Sequence, residues 1–379
     1  MNHARVPAQP EATLGRFGRG PRAWMLRLAA SERFQSFAAH TPIFARKARR
    51  EGEEMFDLIA GFAKSQVLFA LVEMGVLTRL SHGALAAGEA VPDVAERNAA
   101  LLMDAGCAIG LLRRKGGRYA LTTRGAALLG VPGLVPMIRH HAVMYRDMAD
   151  PAALLRGDTQ PELARFWPYV FGAAAAQDPD TARAYSDLMA DSQRLVAEDT
   201  LRMVNFSSAV EILDIGGGTG AFLTAVGQKH DAPWLHLFDL PAVAPGAESR
   251  FRAAGLADRA TITAGSFRDD ALPRADTMTL IRVLYDHADE TVAALLAKVY
   301  DALPPGGQLV VSEPMTGGSK PSVAGDVYFA FYTFCMETGR ARSQGQIAAM
   351  LRAAGFKDIE TPAPRRAFVT SVVTARRPA

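Results

Sequence analysis

The sequence predicts an α/β chain: a doubly wound, Rossmann-like sheet over residues 206–379, behind a helical, winged-helix-like dimerisation domain over 51–205 and a basic arm over 1–50. Three observations carry this. A strand-like run enters a glycine turn at 210–220. Strand and helix signals then alternate to the end of the chain. Upstream, apolar residues recur mostly at helical spacing.

The arm comes first. At 379 residues, with 49% hydrophobic and 21% charged residues, the chain has the profile of a folded two-domain protein. Net charge is only +3, yet the first fifty residues hold ten Lys/Arg against Glu11 and Glu32, a net +8. Phe17, Trp24, Met25, Leu26, Leu28, Phe34 and Phe37 interleave with those charges. Such a segment suits an anionic membrane surface or a partner subunit. Residues 1–20 read as loose and Ala23–Ala39 as a helix. No apolar run is long enough to span a bilayer and no signal-peptide pattern opens the chain, so a cytoplasmic protein is expected, docking peripherally at most. Cys107 and Cys335 lie far apart and read as free thiols.

Next, Phe56, Ile59, Phe62, Val67, Leu68, Leu71 and Val72 stand at helical spacing over a wide face, which predicts burial, against another subunit if not within the chain. Residues 75–130 read as a small winged-helix unit. Its helix covers Val94–Leu112, and Arg114–Arg118 turns between two short strands. A winged helix can bind DNA, but Arg97 is offset by Glu96 and Asp104, so a dimerisation and substrate-lid role is favoured over nucleic acid. Residues 131–205 read as largely helical and include Trp167–Phe171 and Tyr185–Leu201.

The run Val210-Glu-Ile-Leu-Asp-Ile-Gly-Gly-Gly-Thr-Gly220 is a buried strand entering a turn, and Ala221–Gln228 continues as a helix. Two ligands fit. Gly216, Gly218 and Ala221 satisfy the dinucleotide fingerprint of a nicotinamide site. Read from Asp214, with Gly216, Gly218 and Gly220, the same run suits S-adenosylmethionine, whose ammonium matches a carboxylate and whose carboxylate matches helix N–H groups. Asp239 ends the second strand (Trp234–Asp239), where an acid accepts hydrogen bonds from ribose hydroxyls of either ligand. Further strands are expected at Ala260–Ala264, Thr277–Leu284, Gln308–Glu313, Lys357–Thr361 and Ala367–Thr374, with helices at Asp289–Leu303 and Gln344–Ala354.

With LDIGGGTG (213–220), FDLP (238–241), IRVLYDHADE (281–290), LPPGGQLVVSEP (303–314) and AGFKDIE (354–360), the chain resembles the small-molecule O-methyltransferases typified by plant caffeic acid enzymes, from about Glu54 onward. The run AWMLRLAASERFQSFAAHTPIFARKARR, followed by MFDLIAGFAKSQVLFA, is similar to the bacterial carotenoid branch of that family. Members of that branch methylate the tertiary 1-hydroxyl of acyclic carotenoids such as demethylspheroidene and hydroxyneurosporene. A bacteriochlorophyll branch is the nearest alternative. The resemblance implies S-adenosylmethionine as cofactor and a homodimer. It puts the donor site at Asp214, Gly216, Gly218, Gly220, Asp239 and Leu240, with adenine contacts at Ser266 and Phe267, where the family has Asp and Met, and Arg282 at a family lysine. The family's catalytic His maps to Tyr285, its following Asp to Asp286 and its Trp to His287. One supporting Glu maps to Glu313, and a second falls on Ala341 and is lost.

In-line alignment of oxygen, methyl and sulfur supplies roughly 7–11 kcal/mol, and a general base a further 10²–10⁴-fold, about. His287 is the expected base, its alternative role being to cap the helix from Asp289, with Asp286 orienting it and Tyr285 binding the acceptor oxygen. His140 and His141 are further candidates. No residues show metal-ligand spacing. Phe166, Trp167, Tyr169, Phe171, Met189, Tyr328, Phe329, Phe331, Tyr332, Phe334 and Met336 can line an apolar tunnel or serve as plain core. Competing classes are an NAD-dependent oxidoreductase and a winged-helix regulator.

Overall fold

A computed structural model of the chain describes residues 21–166 and 192–379. Trp167–Phe171, Met189 and the first part of Tyr185–Leu201 lie outside them. The chain divides into two compact units, Met1–Ala70 and Leu71–Ala379.

In the first unit, α1 (Pro21–Ala29) and α2 (Glu32–His40) replace the single helix expected over Ala23–Ala39. The break falls at Ser31, whose hydroxyl accepts the Phe34 N–H and so starts a new helix. Then α3 (Pro42–Ile59) follows, and α4 (Gly61–Glu73) spans the division. The expected burial of this stretch is met in part within one chain: Leu71 and Val72 are buried, whereas Phe56, Ile59 and Phe62 are exposed. No single described helix is long and apolar enough to cross a membrane; Ile43–Ile59 and Gly61–Glu73 meet that test only together, bent by 53°.

The second unit opens with α5 (Val76–Leu80), α6 (Ala87–Ala90) and α7 (Glu96–Ala108), then a hairpin of β1 (Leu112–Lys115) and β2 (Arg118–Leu121). Gly116 and Gly117, both at positive φ, make its two-residue turn. Buried Tyr119 donates to Asp104 at 2.8 Å and ties hairpin to helix. After α8 (Thr123–Gly130) comes α9 (Leu134–Asp147), which carries His140 and His141.

A seven-stranded sheet follows, in the order β5-β4-β3-β6-β7-β9-β8. Its strands are β3 (Glu211–Ile215), β4 (Trp234–Asp239), β5 (Ala260–Ala264), β6 (Thr277–Ile281), β7 (Gln308–Glu313), β8 (Lys357–Glu360) and β9 (Ser371–Arg376). Pairing is parallel from β5 through β7, and β9 and β8 close the edge antiparallel. Apolar clusters cover both faces. Leu213, Met278, Leu296 and Val311 belong to one, and Ile212, Phe222, Leu237 and Val310 to the other. The order reverses between β3 and β6, which opens a crevice at the strands' carboxyl ends.

Two strands differ from expectation. The β6 strand stops at Ile281, because Arg282 takes φ 60° and a 3₁₀ turn, Leu284–Asp286, follows. The last strand starts at Ser371 rather than Ala367. The N–H groups of Val369 and Thr370 fold back onto the Arg366 carbonyl, while the Arg366 side chain is held by Asp199 at 2.8 Å.

Candidate active site

The turn at 216–220 is built around a buried carboxylate. Asp214 is fully buried, and its Oδ1 accepts from the Thr279 hydroxyl at 2.6 Å across the β3–β6 pairing. Its Oδ2 has no partner among the described residues. A Cβ at Gly217 would lie 2.2 Å from that oxygen and 2.6 Å from Leu237, so the backbone there seals the carboxylate in. Burial pushes the Asp214 pKa up to about 7, against the pull of Thr279. Asp214 therefore supports the turn from below.

Gly216, Gly218 and Gly220 all have positive φ. Gly218 differs from Gly217 in its surroundings: a Cβ there would meet nothing within 4 Å. That open face lies beside Asp239, whose Oδ2 accepts the Gly218 N–H at 2.7 Å and whose Oδ1 accepts the Leu240 N–H at 2.6 Å. Each carboxylate oxygen keeps lone pairs for ligand hydroxyls. The open face, the carboxylate at the strand end and the helix Ala221–Lys229 starting behind them fit an adenosyl ligand with a carboxylate tail.

The expected adenine corner is arranged differently. The Ser266 hydroxyl donates to Asp269 at 3.0 Å and accepts the Arg268 N–H at 3.2 Å, so its own turn engages it. Lys298 pins that turn by donating to the carbonyls of Phe267, Arg268 and Asp270. The Phe267 ring meets His287 edge-on at 5.2 Å.

His287 is 7% exposed. Its Nδ1 lies 3.2 Å from the Arg268 guanidinium, which only donates, so Nδ1 accepts and the ring proton sits on Nε2. Burial, then Arg268 and Arg342, hold its pKa down at about 4. It does not cap the next helix, whose N-cap is Ala288.

Tyr285, Asp286 and Glu313 come together behind the β6 turn. Glu313 is fully buried. Its Oε2 accepts the Tyr285 N–H at 3.1 Å, and its Oε1 has no partner among the described residues. Burial lifts its pKa to about 8, opposed mainly by Arg342, and lifts Asp286 to about 7, opposed by Arg282. Arg282 donates to the Ser192 hydroxyl at 2.6 Å and to the Tyr285 hydroxyl at 3.1 Å. Its left-handed backbone is strained for a non-glycine residue, and it aims the guanidinium along the strand ends.

Sequence reasoning missed three supports. Thr279 was readable only as the cross-strand neighbour of Asp214. Arg268 sits in a turn with no motif of its own. Arg342, 1% exposed, donates to the Leu284 and His287 carbonyls at 2.9 and 2.8 Å and pairs with Asp289 at 2.6 Å, locking the turn that carries Tyr285. An arginine in the run GRARS (339–343) carries no signal of burial.

A profile of the O-methyltransferase domain matches residues 145–357, and a profile of the O-methyltransferase dimerisation domain matches 56–130. The demethylspheroidene O-methyltransferase of Cereibacter sphaeroides is 50% identical over 382 residues, covering 100% of this chain and 99% of its own. That of Rhodobacter capsulatus is 49% identical over 379 residues, covering 98% and 93%. Among solved structures, human N-acetylserotonin methyltransferase in complex with SAM superposes with a TM-score of 0.74 at 24% identity, over 87% of this chain and 98% of that one. It shares the fold.

The two central glycines separate fold from ligand. Gly217→Ala forces Asp214 and Leu237 apart and is expected to cost several kcal/mol, read as a large fall in Tm. Gly218→Ala meets no clash and costs about 1–2 kcal/mol for its left-handed backbone, yet places a methyl on the ligand face. Titration calorimetry should show it binding S-adenosylmethionine at least about tenfold more weakly, a loss of about 1.4 kcal/mol. Undiminished binding by a folded Gly218→Ala protein would remove the turn from the donor site.

Proposed function

This chain belongs to the S-adenosylmethionine-dependent O-methyltransferase family, and we propose that it methylates the tertiary hydroxyl of an acyclic carotenoid of the demethylspheroidene type. The observation that carries the substrate is the span of the match. The two demethylspheroidene O-methyltransferases match 100% and 98% of the chain. Relatives named for other acceptors match less: 80% for the Streptomyces sahachiroi 3-hydroxy-5-methyl-1-naphthoate enzyme and 72% for rat acetylserotonin O-methyltransferase.

S-adenosylmethionine supplies a methyl group on a positively charged sulfur that is already a good leaving group. The chain's part is to hold it and to aim the acceptor. Asp239 takes the ribose hydroxyls on its free lone pairs, and Gly218 lets the ligand approach the backbone. Phe267, braced by His287, forms an apolar wall for the base. A neutral His287 with its Nδ1 engaged suits that wall better than proton abstraction. Arg282 and Tyr285 set the polar end of the acceptor pocket, and Glu313 fixes the Tyr285 backbone. The aromatic run from Tyr328 to Phe334 supplies the apolar surface a polyene needs.

The dimerisation domain makes a homodimer the working assembly. Exposed Met55, Phe56, Leu58, Ile59 and Phe62 at its start favour the same reading. The arm before it is a candidate membrane contact. Trp24, Met25, Leu26, Phe37 and Ile43 are exposed there among Arg22, Arg27, Arg33, Arg46, Lys47, Arg49 and Arg50. A bilayer docking site would deliver a substrate that partitions into lipid.

Two measurements follow. Purified protein with radiolabelled S-adenosylmethionine and a panel of hydroxylated carotenoids, bacteriochlorophyllides and phenols should transfer label to the carotenoid hydroxyl. Preference for a phenol or a bacteriochlorophyllide would reject the substrate. Flotation with liposomes containing phosphatidylserine should recover the full chain and lose most of a chain lacking residues 1–50; equal recovery of both would exclude the arm as membrane anchor.

A further inference from the structure

On the reading above, we propose that the Tyr328–His141 pair receives the proton of the acceptor hydroxyl, with Tyr328 as the catalytic residue and His141 behind it as its positioning residue.

The groups at the β6 turn do not suit this step. Tyr285 has its hydroxyl held by Arg282 at 3.1 Å and is buried, at 2% exposure. Glu313 is fully buried beneath the turn. The Asp286 Oδ1 is likewise cut off from solvent. His287 presents its lone pair to Arg268 and its ring to Phe267.

Across from Arg282 lies a second set of rings. Val323–Phe329 forms a π-helix, a widened turn that runs into the helix Ala330–Cys335 and sets Tyr328 and Tyr332 on one side. Each tyrosine meets a histidine of α9. The Tyr328 hydroxyl is 2.7 Å from His141 Nε2, and the Tyr332 hydroxyl is 2.9 Å from His140 Nε2. The two phenols stack at 6.0 Å, so each pair braces the other. The charge of Arg282 opposes the rise in pKa that burial imposes on the Tyr328 phenol, and its guanidinium bonds the Tyr285 hydroxyl. Arg282 precedes Val283, whose side chain lies where a Cβ at Gly216 of the donor turn would meet it at 3.0 Å. Tyr328 is half-buried.

Burial keeps His141 neutral near pH 7, since it lowers the imidazole pKa. With its proton on Nδ1, the Nε2 lone pair accepts from the Tyr328 hydroxyl, leaving the phenol oxygen free to accept from substrate. As the new C–O bond forms, the donor's C–S bond breaks. The alcohol proton then moves to the Tyr328 oxygen, and the Tyr328 proton moves to His141 Nε2. The sulfur leaves neutral, one imidazolium remains, and solvent takes its proton after product release. Tyr328 thus takes up the work of the histidine that position 285 lacks.

Two readouts test this. In ¹⁵N-histidine spectra of the full chain, His141 should be neutral with an unprotonated Nε2, and Tyr328→Phe should shift that resonance. A proton on Nε2 in the wild-type protein overturns the relay without touching the functional reading. In turnover assays with the carotenoid, Tyr328→Phe and His141→Gln should each lower kcat about 100-fold or more, while KM and the affinity for S-adenosylhomocysteine stay within about twofold. Imidazole should restore part of the activity of His141→Ala. A Tyr328→Phe enzyme with kcat within about threefold of wild type also overturns the relay. Wild-type protein inactive on every carotenoid rejects the functional reading instead, and the spectrum keeps the two failures apart.

Discussion

The buried hydrogen bond between Asp214 and Thr279 is the constraint from which the site is built. It joins β3 to β6 at the point where the strand order reverses, and it fixes a carboxylate under a backbone that has no room for a side chain. The glycine turn is folded over that carboxylate, its Gly218 N–H reaches Asp239 on the next strand, and the open face is left to a ligand. A buried acceptor with one unfilled oxygen costs about 1–3 kcal/mol. The sheet tolerates that cost where a ligand-binding turn needs a rigid floor.

A second buried centre lies behind the turn after β6. Arg342 holds the turn after β6 by its carbonyls, Glu313 holds the same turn by the Tyr285 N–H, and Arg282 crosses it with a strained backbone. Two guanidiniums, and the Glu313 and Asp286 carboxyls raised toward neutral pKa values, make this corner electrostatically costly. Such sites are seldom kept for stability alone. The corner is held together by residues far apart in sequence: Arg282, Tyr285, Glu313 and Arg342.

Much of this was legible beforehand because it depends on local patterns. Val210–Gly220 reads as strand and turn from its glycines and apolar run, and Asp239 reads from its place at a strand end. The parallel order follows from alternation. What escaped depends on tertiary context. Arg282 adopts a backbone region that residue type argues against. Phe368 and Val369 look like strand, but the Arg366–Asp199 pair holds the chain in a turn there. The apolar face of 51–80 is buried within the chain at Leu71 and Val72, but Phe56, Ile59 and Phe62 are left exposed. His287 stands out by composition as a base, and only the neighbouring Arg268 and Phe267 reveal an engaged, neutral ring.

The account stands on the claim that the crevice at β3, β4 and β6 binds a methyl donor rather than a dinucleotide. Titration calorimetry of the full chain with S-adenosylmethionine and, separately, NAD tests it most directly. One S-adenosylmethionine per chain should bind with micromolar affinity, on the order of −8 kcal/mol. Asp239→Ala should weaken that binding at least about tenfold, and NAD should give no heat and no competition. Saturable NAD binding that S-adenosylmethionine fails to displace would contradict it.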